Sequence, residues 1–312
     1  MITVSFIIPV ANEEKRLEKT FTALQTVRVP HGIRLTEVIF VNDGSTDFTA
    51  SMIKEFSKHN KRVRLISYTQ NQGKGYAVRQ GMLAATGDYA LFFDADMSTS
   101  LSQIKKFVPY MENHTDVIIG TRKNGKSTVI RRQPWYRELI GKCFTKLTQF
   151  LLQVDVTDFT CGFKAFSQSA RLTIFPRSII NGWGFDAEIL LLAKIMGFTI
   201  AEKAVAWTND ENTKVNLAKA IPQTLQELIR IHWIHIVKRY YFRPSKFPHS
   251  FDEVRQYQFG EFSPHLNSLP EEREKYHLLG GEQVEESVFS IGVEDDSTEE
   301  VSVLSLEGKL AK

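Results

Sequence analysis

The stretch Tyr89-Ala90-Leu91-Phe92-Phe93-Asp94-Ala95-Asp96 decides how this 312-residue chain folds. An unbroken apolar run from Tyr89 to Phe93 predicts a strand with both faces covered, as in a parallel sheet sandwiched between helices. Two carboxylates follow at i and i+2, which puts both on one side while the backbone stays extended. In open α/β sheets this is the edge, outside the carboxyl ends of the strands, where ligands bind. Paired hard oxygens suit Mg2+ or Mn2+, and through the ion a diphosphate. Two surface aspartates closing a strand look the same, so this motif alone leaves the chemistry open.

Outward from it the pattern repeats. Strands are predicted at Thr3–Ile8, Glu37–Asn42, Val63–Ser67, Tyr89–Asp94 and Asp116–Thr121. Helices lie between them. In Glu13–Val27, Leu17, Phe21 and Leu24 recur at spacings of four and three, and further helices run from Asp47 to His59 and from Gly75 to Ala85. Alternation of this kind predicts an α/β fold, a Rossmann-like, mostly parallel central sheet flanked by helices. Downstream, a helix over Pro134–Gln153 carries Trp135, Leu139, Cys143, Leu147, Phe150 and Leu151 on one side. Strands at 162–166 and Thr199–Trp207, and helices near Phe185–Met196 and Ala218–Arg239, complete the pattern, which Pro244 and Pro248 close.

Polar residues gather at the other strand ends too. Pro9-Val10-Ala11-Asn12-Glu13 ends the first strand, Val41-Asn42-Asp43-Gly44-Ser45 the second, and Asn71-Gln72-Gly73-Lys74-Gly75 the third. Each has an ordinary explanation: Asn12 and Ser45 make good helix N-caps, and Asp43-Gly44 is common turn chemistry. Glycines also permit close backbone approach to a phosphate, beside the charge of Lys74. Four successive strand ends with ligand-type residues outweigh any one of them.

Taken in order, Pro-x-x-Asn-Glu at 9–13, Asp-Gly-Ser at 43–45, Asn-x-Gly-Lys-Gly at 71–75 and Asp-Ala-Asp at 94–96 resemble the inverting glycosyltransferases of family 2. Within that family, with its nucleotide-diphospho-sugar transferase (GT-A) fold, the chain looks most like the dolichyl-phosphate sugar transferases. The resemblance runs on through Gly120-Thr121-Arg122, Asp158-Phe159-Thr160-Cys161-Gly162-Phe163-Lys164, Gly184-Phe185-Asp186-Ala187-Glu188, Trp207 and Thr213-Lys214-Val215. It implies a donor site of Pro9, Asn12, Glu13, Asp43, Gly73, Lys74, Asp94, Ala95 and Asp96, with Asp94 and Asp96 holding Mg2+ or Mn2+ on the donor diphosphate. It further implies that Arg122, Arg131, Arg132 and Lys214 meet the acceptor phosphate, while Asp158 and Asp186 join the two metal-binding aspartates in shaping the catalytic site. Guanidinium forks suit a phosphate and stay charged there.

Met97-Ser98-Thr99 departs from the mannosyl branch, which usually has Gln in the place of Ser98, and favours glucose from UDP-glucose moved onto a polyprenyl or dolichyl monophosphate. The alternatives are a GDP-mannose-dependent polyprenyl-phosphate mannosyltransferase, a family 2 enzyme with a polysaccharide or glycoprotein acceptor, and a non-catalytic sugar-nucleotide scaffold. Gly120–Ser127 also matches a P-loop literally, but a P-loop needs a helix after its Lys-Ser, and Thr128-Val129-Ile130 and Pro134 speak against one.

Composition bounds the rest. At 42% apolar and 24% charged the chain is neither collagenous nor wholly disordered. Two cysteines, Cys143 and Cys161, cannot build a disulfide framework or a zinc cluster, and point to a reducing compartment. No stretch reaches the ~18–20 apolar residues that span a bilayer. Met1 leads directly into the first strand without the basic region of a signal peptide. Residues 251–312 hold 15 acidic against 5 basic side chains, leaving 34 basic against 21 acidic in residues 1–250. A GT-A domain is therefore expected at 1–243, with its donor half to about 125 and its acceptor half beyond, and an acidic, largely disordered tail at 244–312. Leu225–Phe242 combines Leu228, Ile231, Trp233, Ile234, Ile236, Val237 and three further aromatics with Arg230, Lys238 and Arg239. With the cations of the Pro134–Gln153 helix, this predicts a cytoplasmic enzyme held peripherally on an anionic membrane. A nucleotide-sugar donor and a lipid-phosphate acceptor are the expected partners, with no nucleic acid. A separate membrane protein is a further candidate.

Overall fold

Val4, Phe6, Ile7 and Ile8 are fully buried because the first strand runs through the middle of a sheet covered on both faces. The computed structural model describes residues 1–123, 127, 129–131, 135–209 and 217–237. All of them belong to the unit Met1–Gln258. The chain proceeds through β1 (Ile2–Val10), α1 (Glu14–Thr26), β2 (Ile33–Asp43), α2 (Thr49–Lys58), β3 (Val63–Tyr68), α3 (Lys74–Ala84) and β4 (Tyr89–Phe93). After a 3-10 turn come α4 (Val108–Glu112), β5 (Val117–Thr121), β6 (Val129–Arg131), α5 (Trp135–Leu152), β7 (Phe163–Ser167) and α6 (Gln168–Ile174). Then follow α7 (Phe185–Ile195), β8 (Ile200–Ala204), β9 (Trp207–Thr208) and α8 (Leu217–Ile231), continued by a π-helical turn over His232–Val237. The predicted strands and helices thus form close to where the apolar pattern puts them.

Seven strands make the main sheet in the order β3-β2-β1-β4-β7-β5-β8. β1 pairs in parallel with β2 and β4, and β2 with β3. β7 runs antiparallel to both β4 and β5, while β8 is parallel to β5. Alternate side chains feed two cores: Ile7, Ile39, Val41 and Phe92 enter one, and Phe6, Ile8, Phe40 and Phe93 the other. From β1 the chain moves outward on one side to β2 and β3, then returns on the other to β4. The reversal opens a crevice at the carboxyl ends of β1 and β4.

In two helices the structure divides the apolar residues named from the sequence between the core and the surface. In α5 the stripe of Leu139, Cys143, Leu147 and Phe150 faces solvent, with Phe150 75% exposed. The helix instead packs through Phe144, Thr148, Leu151 and Leu152, whose i, i+4 and i, i+3 spacings line its other side. In α8, Leu228 and Ile231 belong to the core, and the outward stripe is Ile221, Leu225, Ile229 and Trp233. No described helix is long and apolar enough to cross a membrane. β6 occupies the place where a P-loop would start its helix. Arg132, Lys214, Lys238, Arg239, the three aromatics at 240–242 and the predicted tail at 244–312 lie outside the described residues.

Candidate active site

The loops after β1, β2, β3 and β4 line a cavity of about 460 Å3 in that crevice. Pro9, Glu13, Asp43, Gly73, Lys74, Asp94, Ala95 and Asp96 all contribute to its wall. Asn12 does not. It adopts φ +54, a left-handed conformation that Asn tolerates better than most residues. Its Oδ1 accepts from the N–H of Thr46 at 2.8 Å and its own N–H donates to Ser45 Oγ at 2.9 Å. Asn12 thereby clips the first loop to the second.

Asp43 does comparable work between the second loop and the third. Its buried carboxylate accepts from Gln72 N–H at 2.7 Å and Gly73 N–H at 3.0 Å, while Asn71 Nδ2 donates to its carbonyl at 2.9 Å. Gly73 sits at φ +102, and a Cβ there would stand 2.5 Å from the Asn181 carbonyl oxygen. A side chain is therefore refused twice, by backbone conformation and by space. Glu13 pairs with Arg16 at 2.9 Å, and both face the cavity.

At the β4 end, Lys74 Nζ bonds Asp94 Oδ1 at 2.6 Å and lies 5.5 Å from the centre of the Trp183 ring. Burial works against the ammonium charge, but Asp94 foremost, with Asp186 and Asp96, holds the Lys74 pKa above its ordinary value. Asp96 directly precedes Met97, which turns at φ +54, and its Oδ1 accepts from Ser98 N–H at 2.8 Å. Burial, then the neighbouring Asp94, raises the Asp96 pKa. Two crowded carboxylates of this kind favour a dication between them. Among the described residues no cluster of three or more His, Cys, Asp or Glu side chains makes a complete metal cage. The donor set of Asp94 and Asp96 therefore fits Mg2+ or Mn2+ that draws its remaining oxygens from a diphosphate and water.

Gly162 lies directly behind Asp94, and a Cβ on it would overlap the carboxylate. If Asp94 and Asp96 hold the ion, Gly162→Ala is expected to reduce Mn2+ affinity at least about tenfold, by displacing one of the two carboxylates, with the fold retained. Calorimetric Mn2+ titration in the presence of UDP, alongside a circular dichroism melt, checks both halves.

Directly after β5, Arg122 is locked in place. Its Nε and Nη2 donate to the two oxygens of Asp158 at 2.7 and 2.8 Å, and Nη2 also reaches Thr160 Oγ1 at 2.9 Å. The guanidinium carbon lies 5.4 Å from the Trp207 ring centre. Asp158 is fully buried; that burial pushes its pKa up, but Arg122 and Lys123 outweigh it and hold the group well below the usual carboxylate range. Asp186 is also buried and bonds Lys164. Asp158 and Asp186 are thus buried carboxylates that each hold a cation, the partly exposed Arg122 in the first case and the fully buried Lys164 in the second. Arg131 is described only as a backbone position in β6.

Asn71, part of the third strand-end motif, also lines the cavity, whereas Arg16, Gly182, Trp183 and Gln223 escape the sequence reading. Trp183 had a readable signal, an aromatic bracketed by Gly182 and Gly184 just before a helix. Gln223 had none, because a polar residue on an amphipathic helix is ordinary.

A family model described as glycosyl transferase family 2 matches residues 5–175. The chain is 30% identical over 247 residues to a dolichyl-phosphate beta-glucosyltransferase of Dictyostelium discoideum, covering 76% of each chain. To the dolichyl-phosphate beta-glucosyltransferase of Saccharomyces cerevisiae it is 33% identical over 258 residues, 77% of each. Glucosyl-3-phosphoglycerate synthase from Mycobacterium tuberculosis, solved in complex with Mg2+ and UDP, superposes with a TM-score of 0.52 at 18% identity, over 75% of this chain and 79% of that one.

Proposed function

Because the chain belongs to glycosyltransferase family 2 and has its GT-A fold, we propose that it transfers glucose from UDP-glucose to a dolichyl or polyprenyl monophosphate, with inversion. The observation that carries this reading is the Asp94–Lys74–Asp96 group on the cavity wall, with an Arg122 that Asp158 holds rigid and that lies close enough to Asp94 to feel its charge. The relatives named dolichyl-phosphate beta-glucosyltransferases support the choice of sugar and acceptor.

Each group then has a task. Pro9, Glu13, Asp43 and Gly73 enclose the nucleoside, and Asp94 and Asp96 hold Mg2+ or Mn2+ at the diphosphate. When bound, the ion neutralises charge on the departing UDP. Lys74 adds a second positive charge on the same side. None of the bonds named for Arg122 uses its Nη1, which is left to orient the acceptor phosphate. An oxygen of that phosphate bonds to the anomeric carbon as the bond to UDP breaks. The phosphate is already anionic near neutral pH, so no strong general base is needed.

A lipid acceptor has to be collected from a bilayer. The exposed stripes Leu139, Leu147 and Phe150 on α5 and Ile221, Leu225, Ile229 and Trp233 on α8 support peripheral attachment, with Lys142, Lys146 and Arg230 exposed beside them. Assaying UDP-glucose, UDP-galactose, UDP-N-acetylglucosamine and GDP-mannose, each with a polyprenyl monophosphate and with soluble sugar acceptors, tests the reading. UDP-glucose with the lipid phosphate should give the fastest turnover. Preference for GDP-mannose, or for a soluble acceptor, would overturn it.

A further inference from the structure

α8 presents a different chemistry on each side. Ile221, Leu225, Ile229 and Trp233 recur every four residues and are 43%, 42%, 58% and 56% exposed. Two positions along from Ile221 and Leu225 stand Gln223 and Glu227, turned to the opposite side of a 3.6-residue helix. Gln223 lines the donor cavity, and its Nε2 donates to Glu227 Oε1 at 3.0 Å. Glu227 Oε2 accepts from Gly184 N–H at 2.7 Å. In the π-helical turn, His235 Nε2 lies 2.8 Å from Glu188 Oε1, and Glu188 in turn accepts from the N–H groups of Ile179 and Ile180.

The segment 178–184 therefore hangs on α8 and its continuation. From the other flank Arg79 donates to Asn181 Oδ1 at 2.7 Å and Ser178 Oγ at 3.1 Å. The same segment supplies Gly182 and Trp183 to the cavity wall, and Asn181 accepts from Gly75 N–H at 2.7 Å, next to Lys74. A displacement of α8 thus moves Gln223 and Trp183 relative to Lys74 and Asp94. Pro222 removes one helical N–H from the early part of α8, leaving that part less firmly held by its own backbone.

We infer that α8 couples the bilayer to the donor site: lipid contact along its outer stripe fixes its inner side, and Glu227 passes this to the cavity wall, so that membrane binding tightens nucleotide binding. The inference rests on the peripheral-membrane part of the proposed function. A bilayer suits the stripe because exposed Arg230 flanks it, and because α5 meets the π-helical turn where His232 Nδ1 lies 2.8 Å from the Leu151 carbonyl oxygen. Two apolar stripes with cations beside them match an anionic interface. Glu227 is a positioning residue here, acting through Gly184 and Gln223.

The test uses full-length protein with Mn2+, UDP or GDP, and vesicles of phosphatidylcholine and phosphatidylglycerol. Vesicles should lower the UDP dissociation constant at least about fivefold, and UDP should tighten vesicle sedimentation by the same factor, as reciprocity of coupled binding demands. Glu227→Ala should weaken UDP binding in solution and abolish the vesicle response while still sedimenting with vesicles. Glu227→Gln keeps a carbonyl oxygen for Gly184 N–H and should retain the response. Ile229→Asp combined with Trp233→Asp should lose sedimentation and keep the solution affinity for UDP. If wild type sediments with vesicles and its nucleotide affinity does not move, or if Glu227→Ala responds like wild type, the coupling is wrong and the membrane reading stands. Failure to sediment at low salt removes both, as does a stripe that pairs two copies, seen as a mass that halves in the double Asp variant without vesicles. If neither nucleotide binds, the donor reading falls and takes the coupling with it.

Discussion

Asp94→Asn should lower the transfer rate at saturating donor by at least about 10³-fold, the scale on which removing preorganised charge stabilisation from a reacting centre acts. The substitution keeps the shape of the side chain and removes its charge. Two consequences follow from the contacts of Asp94. Lys74 loses the carboxylate it touches at 2.6 Å, and Asp96 is left as the single charged aspartate of the pair. A dication that had two carboxylates would keep one. Calorimetric titration should therefore show weakened Mn2+ binding together with the kinetic loss, while the circular dichroism spectrum stays that of the wild type. Full turnover in Asp94→Asn with divalent ions chelated would rule out the assigned role.

The second large effect is on stability. Asp158→Ala should cost about 3–5 kcal/mol, because it leaves Arg122 without the fully buried partner that two of its nitrogens engage. Lys123, whose Nζ lies 3.6 Å from Asp158 Oδ1, loses the same counter-charge. The sign with pH follows from the depressed pKa of Asp158. A carboxylate with a folded-state pKa below its unfolded value contributes stability above the unfolded value, and this is lost as pH falls towards the folded one. Urea titrations of wild type and Asp158→Ala should differ most near neutrality and converge in strong acid. A difference that is constant with pH would mean that packing, rather than charge, sets the cost. The variant should also bind acceptor phosphate more weakly, since Arg122 is no longer held against Trp207.

The side of the crevice proposed to take the donor was legible because its signals are local. A carboxylate, an asparagine or a glycine directly after an apolar run is visible without knowing what the run packs against, and eight of the nine donor-site positions line the cavity. Asn12 looks identical in sequence yet spends its side chain on the neighbouring loop. The other side was legible only through resemblance. Nothing in the residues around Arg122 announces a bidentate partner 36 positions away. Apolar periodicity in α5 finds a face without saying what covers it: Leu139, Leu147 and Phe150 are exposed, while Leu151 packs on the core. Arg16 and Gln223 were missed because charged and amide side chains on helices are ordinary until tertiary structure turns them towards a cavity.

The antiparallel β7 has a consequence for how the polypeptide is made. It lies between β4 and β5, yet it is synthesised after both, some 70 residues beyond β4. A growing chain that has just finished β5 has every strand of the donor side and still lacks the neighbour that covers one edge of β4. That edge, backed by Phe92 and Phe93, is a hydrophobic template for pairing with another nascent chain. Release of a fragment ending near residue 125 should therefore give an aggregating product rather than a small nucleotide-binding protein. Ribosome-bound chains should become protease-resistant only once Phe163–Ser167 has cleared the exit tunnel. The ligand-binding edge is assembled from early sequence, but it is sealed by late sequence.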